Sequence, residues 1–330
     1  APIKRATQIT LLTRKRELGA FYTPSEIAEV LCDWAIQSPT DVLLEPSFGG
    51  CSFLDSSVRR LRELGVANAN NLFGCDIDPK AFEYLRRMVK EVSPKNFHLG
   101  DFLEWTPSQV PSGSVDVVIG NPPYVRYCNL AAAQRCAVDR WAKAHGEPPS
   151  RRASLWLHFT IHALSFLRKG GRIAWVLPIS FMTAHYASNL RQKMFDSFRR
   201  VAVVTLTERV FMDEGTEERT LIVLAEGYGE GNNGSPISIS CLESVDELRT
   251  FVSSWQNGGT TEIEGIVSHG MVPERAGQLL ATLEREPTVS RVSELVDVQI
   301  GVVSGNTKFF IKSADEWRAA GVSEAHLSYI

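Results

Sequence analysis

Short apolar runs alternate with helical stretches along the first 230 residues of the chain. The runs are rich in aliphatic residues and end at Gly, Pro or acidic positions, which is typical of buried parallel strands. The stretches between them place apolar residues at helical spacing. The predicted strands are 41–44, 71–75, 97–100, 115–119, 172–177, 201–206 and 220–224. This order predicts an α/β fold with a seven-stranded, mostly parallel, doubly wound sheet.

The pattern becomes less regular after the Gly- and Asn-rich segment 227–235, which predicts a linker or an exposed hairpin. We therefore expect a main α/β domain over 1–230, a connecting α+β region over 231–290, and a further region over 291–330. The last residues contain no capping or closing element, so we expect the natural protein to continue.

Composition narrows the class of protein. The chain has 330 residues, is 44% hydrophobic and 22% charged, and carries a net charge of −3, which argues against nucleic-acid binding by bulk charge. Basic residues nevertheless cluster at 14–16 and between 126 and 152, where a local binding surface is possible. No apolar run is long enough to span a membrane. The six cysteines are scattered without a CxxC pair, so we expect a reduced, cytoplasmic protein without a metal site.

Polar residues follow four successive predicted strands. Glu45, Asp76 and Asp101 follow the first three, and Asn121 follows the fourth. Ligands of open α/β sheets bind beyond the carboxyl ends of strands, so these residues indicate a site. A Gly-containing turn after Glu45 is typical of a nucleotide-binding unit, but Cys51 stands where the dinucleotide fingerprint has a glycine. This argues against a pyrophosphate ligand and against a nicotinamide oxidoreductase, whereas a carboxylate here suits a cationic ammonium group.

Two acidic residues at the end of the second strand are candidates for binding a ribose. Asp78 precedes Pro79 and is explained as a helix N-cap. Asp76 has no such structural explanation, so we assign bidentate binding of ribose hydroxyls to it. Ile77, between them, can cover an adenine face.

Three candidates remain, two at the third strand end and one before the first helix. Asp101 can accept a hydrogen bond from an adenine amino group, and Phe102 can supply an apolar wall. Thr23 precedes Pro24 and predicts a helix N-cap. Alternatively, its hydroxyl meets an anionic ligand at the helix N-terminus.

The stretch Asn121-Pro122-Pro123-Tyr124 follows the fourth strand and Gly120. Each proline has a fixed φ and lacks an N–H, so the segment is stiff and rich in carbonyl acceptors. It could be only a proline-stiffened strand exit. Its position after three strand ends with acidic residues favours a cradle for a flat group that carries an NH₂.

Together these segments resemble the N6-adenine DNA methyltransferases of the amino-methyltransferase group, in the segment order of the gamma class found in restriction-modification systems. The matching segments are GAFYTP (19–24), LLEPSFGGCSFL (43–54), FGCDIDP (73–79), GDFLEW (100–105), IGNPPYVRY (119–127), LWLHFTIHALSFLRKGGRIAWVLPISF (155–181) and ERTLIVLAE (218–226). The segment 292–311 resembles the start of a target-recognition domain. The resemblance implies the Rossmann-like fold of S-adenosylmethionine-dependent methyltransferases, with the catalytic domain over 1–230.

The resemblance also implies S-adenosyl-L-methionine as cofactor. Its expected contacts are Tyr22, Thr23, Glu45, Pro46, Asp76, Ile77, Asp101 and Phe102. Among these, Thr23 and Glu45 would hold the methionine carboxylate and ammonium groups. Asp76 would bind the ribose, and Asp101 the adenine amino group.

The acceptor implied by the resemblance is the N6 amino group of an adenine flipped out of double-stranded DNA. Asn121 and the Pro122 carbonyl would accept hydrogen bonds from that amino group, with Pro123 completing the catalytic segment. Tyr124 would stack on the flipped base, and Phe211 would cover its other face. A nuclease or recognition domain outside this chain is a further expected partner.

Two alternatives stay open at this point. The Asn-Pro-Pro-Tyr motif also occurs in methyltransferases that act on RNA or on a protein glutamine. The first-position GAFYTP segment and the long region after the predicted sheet argue against them. A non-catalytic DNA-binding subunit is the second alternative, and the intact motif with its cofactor acids argues against it.

Overall fold

The computed structural model describes residues 23–88, 92–108, 110–146, 153–207, 219–231, 237–259, 274–286, 288–290 and 313–321. The strands are β1 (Leu43–Glu45), β2 (Leu72–Asp76), β3 (Phe97–Leu99), β4 (Val115–Gly120), β5 (Leu167–Pro178), β6 (Phe198–Leu206), β7 (Thr220–Tyr228) and β8 (Ser238–Leu242). The helices are α1 (Ser25–Ala35), α2 (Ser52–Glu63), α3 (Pro79–Met88), α4 (Ala132–Ala144), α5 (Leu155–Leu164), α6 (Ser180–Thr183), α7 (Ser188–Ser197), α8 (Val245–Gln256), α9 (Glu274–Arg285) and α10 (Ala314–Ala319). Short 3₁₀ turns cover Pro94–Asn96, Phe102–Glu104, Tyr127–Asn129 and His185–Ala187.

The described strands form one sheet in the order β3-β2-β1-β4-β5-β7-β6-β8. The five strands from β3 to β5 pair in parallel, and β7 is antiparallel to both β5 and β6. Leu43 of β1 lies opposite Leu72 of β2 on one side and Val117 of β4 on the other. The chain therefore reverses its direction of winding beside β1, and such a switch point opens a crevice at the carboxyl ends of the strands.

The predicted fold class is confirmed, but the sheet has eight strands in the described residues, where seven were predicted. The extra strand, β8, pairs in parallel with β6, for example at Val203 and Ile239. The sequence SISCL alternates weakly and follows a Gly-rich segment, so its pattern alone did not place it in this sheet. The predicted domain boundary at 230 stays a prediction, with the sheet continuing to Leu242.

The core lies on both faces of the sheet. Along β4, Val118 packs into the cluster beneath α4, α5 and α7, whereas Val117 and Ile119 pack into the cluster beneath α1, α2, α3 and α8. Side chains of a strand alternate between its two faces, which explains the division. A continuous apolar run therefore fits β4, because both faces are covered.

Helix α5 differs from the prediction. The sequence of 155–167 predicts an amphipathic helix, but all ten residues of α5 are buried. Its outer face is covered by α4 and by the 3₁₀ turn 102–104: Trp141 Nε1 donates a hydrogen bond to His162 Nδ1 (3.0 Å), and Phe102 packs against the same histidine ring. The sequence pattern is amphipathic because it contains the polar residues His158 and His162, but both of these histidines are buried.

A buried ion pair joins the loop before β1 to the middle of β5. Arg172 Nη2 lies 2.8 Å from Asp41 Oδ2, and the two side chains are only 10% and 4% exposed. The same Asp41 oxygen accepts hydrogen bonds from the backbone N–H groups of Gln37 and Ser38. The pair thus fixes the loop before β1 to β5, although β4 lies between these two strands in the sheet.

Residues 282–330 form a second compact unit. Within it, α10 is capped by Ser313, whose Oγ accepts a hydrogen bond from Glu316 N (3.3 Å) while the Glu316 carboxylate accepts one from Ser313 N (2.7 Å). The predicted recognition segment 292–311 lies outside the described residues. Across the part of the chain that is described, no helix has the length and apolarity needed to cross a membrane.

Replacement of Asp41 by Ala should lower the free energy of unfolding by about 3–5 kcal/mol, because it leaves the buried Arg172 guanidinium without its counter-charge. Urea denaturation measures the loss. Arg140→Ala is a control that breaks the exposed pair with Glu104 and should change the stability little. Equal losses in the two variants would contradict the role assigned to the buried pair.

Candidate functional site

A cleft of about 990 Å³ opens at the carboxyl ends of β1, β2 and β4. This volume includes the open solvent at the mouth of the cleft. Nine of the predicted site residues line it: Thr23, Glu45, Pro46, Asp76, Ile77, Asp101, Phe102, Asn121 and Pro123. Two others, Tyr22 and Phe211, lie outside the described residues. The structure therefore brings the predicted strand ends together at one cavity.

Glu45 ends β1 and is only 2% exposed. Within the described part of the chain, no group donates a hydrogen bond to its Oε2. Burial, and secondly the negative charge of Asp76, raise the pKa of this carboxyl group well above its usual range. A buried carboxylate without a counter-charge is costly, so a cationic ligand group in the cleft would be strongly favoured here.

Asp76 ends β2 and organises two backbone segments. Its Oδ2 accepts a hydrogen bond from Gly49 N, and its Oδ1 accepts one from Asp78 N, each at 2.8 Å. Burial raises the pKa of Asp76 to about 6, against the effect of those two N–H groups. Asp78 Oδ1 instead accepts from Lys80 N (3.0 Å) at the start of α3, as expected of a helix cap. Asp76 thus holds the glycine turn of β1 beside the end of β2.

The turn after β1 forms although Cys51 replaces a glycine. Cys51 has φ = 68°, and it is the one non-glycine residue with positive φ in the described segments. Its N–H donates to Phe48 O (2.6 Å), and its buried thiol lies 3.8 Å from Ala81 O on α3. An L-residue in this conformation is strained by about 1–2 kcal/mol. The chain therefore keeps a glycine-like turn with a strained backbone at Cys51, and the side chain of Cys51 packs against α3.

The region beyond β2 and β3 is apolar on two sides. Ile77 is 45% exposed, a large fraction for an aliphatic side chain that lines a cleft. Phe102 is fully buried and packs against Phe159 of α5, with 5.2 Å between ring centroids. Asp101 directly precedes Phe102 in the sequence. Its Oδ1 accepts a hydrogen bond from Leu103 N (3.0 Å), and burial raises the pKa of its carboxyl group. A flat apolar ring with a polar edge would suit this end of the cleft.

Thr23 does not cap α1 as predicted. The helix begins at Ser25 with Pro24 at the N-cap position, and no side chain caps it. The first turn of the helix starts from Pro24, whose carbonyl oxygen accepts hydrogen bonds from Ile27 N and Ala28 N. The Thr23 hydroxyl instead accepts a hydrogen bond from Asn121 Nδ2 (3.2 Å), across 98 residues of sequence. The segment before α1 and the segment after β4 thus meet directly in the cleft.

The Asn-Pro-Pro-Tyr segment divides between cleft and core. Asn121 and Pro123 line the cleft, and Ser47 Oγ donates to Asn121 O (3.4 Å). Pro122 is buried, and so is Tyr124, which is 7% exposed and donates its hydroxyl hydrogen to Val176 O (3.1 Å). Gly120 precedes the segment with φ = +145°, a conformation that side-chain-bearing residues rarely adopt. The segment is therefore fixed from both ends.

Sequence reasoning missed the wall of the cleft that α4 and α5 supply. Gln134, Leu155 and Phe159 line it together with Val125. Val125 O accepts from both Leu155 N (2.8 Å) and Ser154 Oγ (3.0 Å), which brings the start of α5 to the exit of β4. No local motif indicates this pairing, although the strong apolarity of 155–164 was visible. In the described residues, no group of His, Cys, Asp or Glu could hold a metal ion.

Comparison with known proteins identifies relatives over the same region. A family model described as N-6 DNA Methylase matches residues 11–232. The Type II methyltransferase M.AccI of Acinetobacter calcoaceticus is 22% identical over 72% of this chain and 42% of its own length. M.PaeR7I of Pseudomonas aeruginosa is 26% identical over 89% of this chain and 56% of its own length. The chain thus spans about half the length of these relatives.

Solved structures share the fold at low identity. A class I S-adenosylmethionine-dependent methyltransferase of Listeria monocytogenes has a TM-score of 0.55 at 16% identity, covering 71% of both chains. The M protein of the Type I restriction enzyme EcoKI also has a TM-score of 0.55 at 16% identity, covering 75% of this chain and 56% of its own. These similarities confirm the predicted methyltransferase-type fold.

The raised pKa of Asp76 predicts a pH dependence of stability. Between pH 4 and pH 6 the folded protein holds a proton on Asp76 that the unfolded chain releases, so rising pH should lower the free energy of unfolding through this group. A rise of about two pKa units corresponds to about 3 kcal/mol. Asp76→Asn should remove that loss, as urea denaturation at pH 4 and pH 7 would show. Parallel pH profiles of the wild-type protein and the variant would contradict the assignment.

Proposed function

The chain belongs to the N-6 DNA methylase family, and on that premise we propose that it carries out adenine modification in a restriction-modification system. In this proposal the chain transfers the methyl group of S-adenosyl-L-methionine to the N6 amino group of an adenine flipped out of double-stranded DNA. The observation that carries the proposal is the shared cleft: a buried carboxylate, Glu45, and the acceptor segment at Asn121 line the same cavity.

The residues of the cleft suit the cofactor group by group. Glu45 is buried and its ionised form lacks a counter-charge, so the methionine ammonium group would stabilise that form. The Thr23 hydroxyl accepts from Asn121, so its own hydrogen can be donated to the methionine carboxylate. Asp76 is fixed by two backbone N–H groups, and the remaining lone pairs of its oxygens can accept from ribose hydroxyls.

The adenine of the cofactor fits the apolar end of the cleft. Ile77 offers its exposed side chain to one face of the ring, and Phe102 lies in the wall. The carboxylate of Asp101 would accept from the amino group of the adenine. Pro46 lies in the glycine turn beside Glu45, and Tyr22 is proposed as a contact from the family resemblance alone.

Catalysis requires positioning more than proton transfer. S-adenosylmethionine supplies a sulfonium methyl group that is already strongly electrophilic. The protein must hold the target nitrogen in line with that methyl group, and such orientation can contribute up to about 7–11 kcal/mol. The stiff Asn121-Pro122-Pro123 segment, fixed at Gly120 and at Tyr124, provides a rigid support for the acceptor.

The amino nitrogen of adenine is a weak nucleophile because its lone pair is delocalised into the ring. Oδ1 of Asn121 and the carbonyl of Pro122 would accept hydrogen bonds from it and stabilise the positive charge that develops. The bond from Asn121 Nδ2 to Thr23 orients the amide so that its oxygen is the acceptor. The mechanism therefore needs no strong base at this position.

An adenine inside a duplex cannot reach the cleft, so it must be flipped out at a cost of a few kcal/mol. From the family resemblance we assign stacking on the flipped base to Tyr124 and Phe211, worth roughly 1–3 kcal/mol per stacked base. In the structure only 7% of Tyr124 is exposed, so this assignment requires that its ring become accessible to the base. Exposed basic side chains follow the motif on the chain, at Arg126, Arg140 and Lys143. Cations at such positions would suit the phosphates of DNA.

Transfer of a tritiated methyl group from labelled cofactor to duplex DNA, RNA and protein tests the proposal, with cofactor binding measured in parallel by calorimetry. We expect label on adenine N6 of DNA. Label on RNA or on protein glutamine would favour the alternative methyltransferases. Cofactor binding without any transfer would favour a non-catalytic subunit.

Asn121→Ala should reduce transfer at least about 100-fold, because it removes one of the two acceptors that meet the developing charge. Cofactor affinity should change little. Asn257→Ala is the matched control, since Asn257 is an exposed residue after α8 whose side chain contacts Ser253 O. Retained turnover in Asn121→Ala would refute the catalytic role.

A further inference from the structure

Gln134 lines the cleft, although no motif of the chain includes it. It is the third residue of α4 and is half-buried. Its Oε1 accepts a hydrogen bond from Ala131 N (3.3 Å), which fixes the orientation of the side-chain amide. The two N–H bonds of Nε2 are therefore the polar groups that Gln134 can offer to a ligand.

The cleft is otherwise poor in side-chain N–H donors. Its described polar lining consists of four carboxylates, three hydroxyls and two amides: Glu45, Asp76, Asp78, Asp101, Thr23, Ser47, Ser52, Asn121 and Gln134. Asn121 and Gln134 are therefore the two described lining residues with side-chain N–H groups, and one N–H of Asn121 donates to Thr23. The N–H groups of Gln134 Nε2 can serve an acceptor atom of a ligand at another position in the cleft.

Helix α4, which carries Gln134, packs beside the end of the cleft assigned to adenine. Arg140 of the same helix forms an ion pair with Glu104, two residues after Phe102. Trp141 donates to His162 of α5, whose ring packs against Phe102. The helix of Gln134 therefore packs on the short turn that follows Asp101, and the side chains of Gln134, Asp101 and Phe102 share one cavity.

Adenine presents one amino group and three ring nitrogens that accept hydrogen bonds. A carboxylate such as Asp101 can recognise only the amino group, because it is an acceptor itself. We propose that Gln134 determines base specificity in the cofactor site by donating a hydrogen bond from Nε2 to a ring nitrogen of the adenine. This inference rests on the proposed function. A donor and an acceptor together reject bases that lack either group, since the unmatched polar atom would stay buried.

Binding of S-adenosylhomocysteine and of its 1-deaza, 3-deaza and 7-deaza analogues tests this directly, because each analogue replaces one ring nitrogen by a C–H group. Calorimetry on the wild-type protein should show about a tenfold weaker binding for one analogue, the equivalent of one hydrogen bond. Gln134→Met removes the N–H donor, and that analogue should then bind as tightly as the parent compound.

Gln134→Glu provides a second variant that keeps an acceptor for Ala131 N but carries no N–H group. Its discrimination among the analogues should also vanish, whatever its added charge does to overall affinity. Gln256→Glu, at an exposed position of α8, makes the same exchange away from the cleft and should discriminate like the wild-type protein.

The same analogue pattern in the wild-type protein and in both Gln134 variants would overturn the inference and leave the proposed cofactor intact. Failure of the wild-type protein to bind S-adenosylhomocysteine at all would overturn both the cofactor assignment and the inference. The two failures are therefore distinguishable in one set of titrations.

Discussion

The burial of Glu45 beside Asp76 is the constraint on which the site depends. Both carboxyl groups are desolvated, and burial raises the pKa of each. Backbone N–H groups of Gly49 and Asp78 compensate Asp76, whereas Glu45 Oε2 has no donor within the described residues. Folding alone would not favour this arrangement, because each buried negative charge opposes the other. A bound cation would relieve both costs, so this part of the fold would favour a positively charged ligand.

The strand order explains how these groups come together. Glu45 on β1 lies between the ends of β2 and β4, its two neighbours in the sheet. The backbone is strained at this edge at Cys51, which has a positive φ. Strain of this kind persists only where the surroundings enforce it. Here the packing of Cys51 on α3 does so.

Much of this arrangement was predictable, because short apolar strands and the residues that end them are local signals. The cap at Asp78 followed from the adjacent Pro79, and the position of Asp76 at the end of β2 followed from the apolar strand before it. Nonlocal features were not predictable. Thr23 was expected to cap a helix, yet its partner is Asn121, and the buried position of Tyr124 depends on Val176. Strand β8 was missed as a sheet member because its pairing with β6 leaves no pattern in the strand itself.

The bond between Thr23 and Asn121 links the two halves of the proposed chemistry. Thr23 belongs to the segment assigned to the methionine carboxylate, and Asn121 to the segment assigned to the target amino group. If the cofactor carboxylate accepts a hydrogen bond from the Thr23 hydroxyl, the direction of that hydroxyl is fixed. The side-chain amide of Asn121, which donates to the same hydroxyl, would be fixed with it. The amide oxygen of Asn121 would then be oriented before the base arrives. Cofactor binding would in this way preorganise the acceptor site, which lowers the cost of orienting it during the reaction.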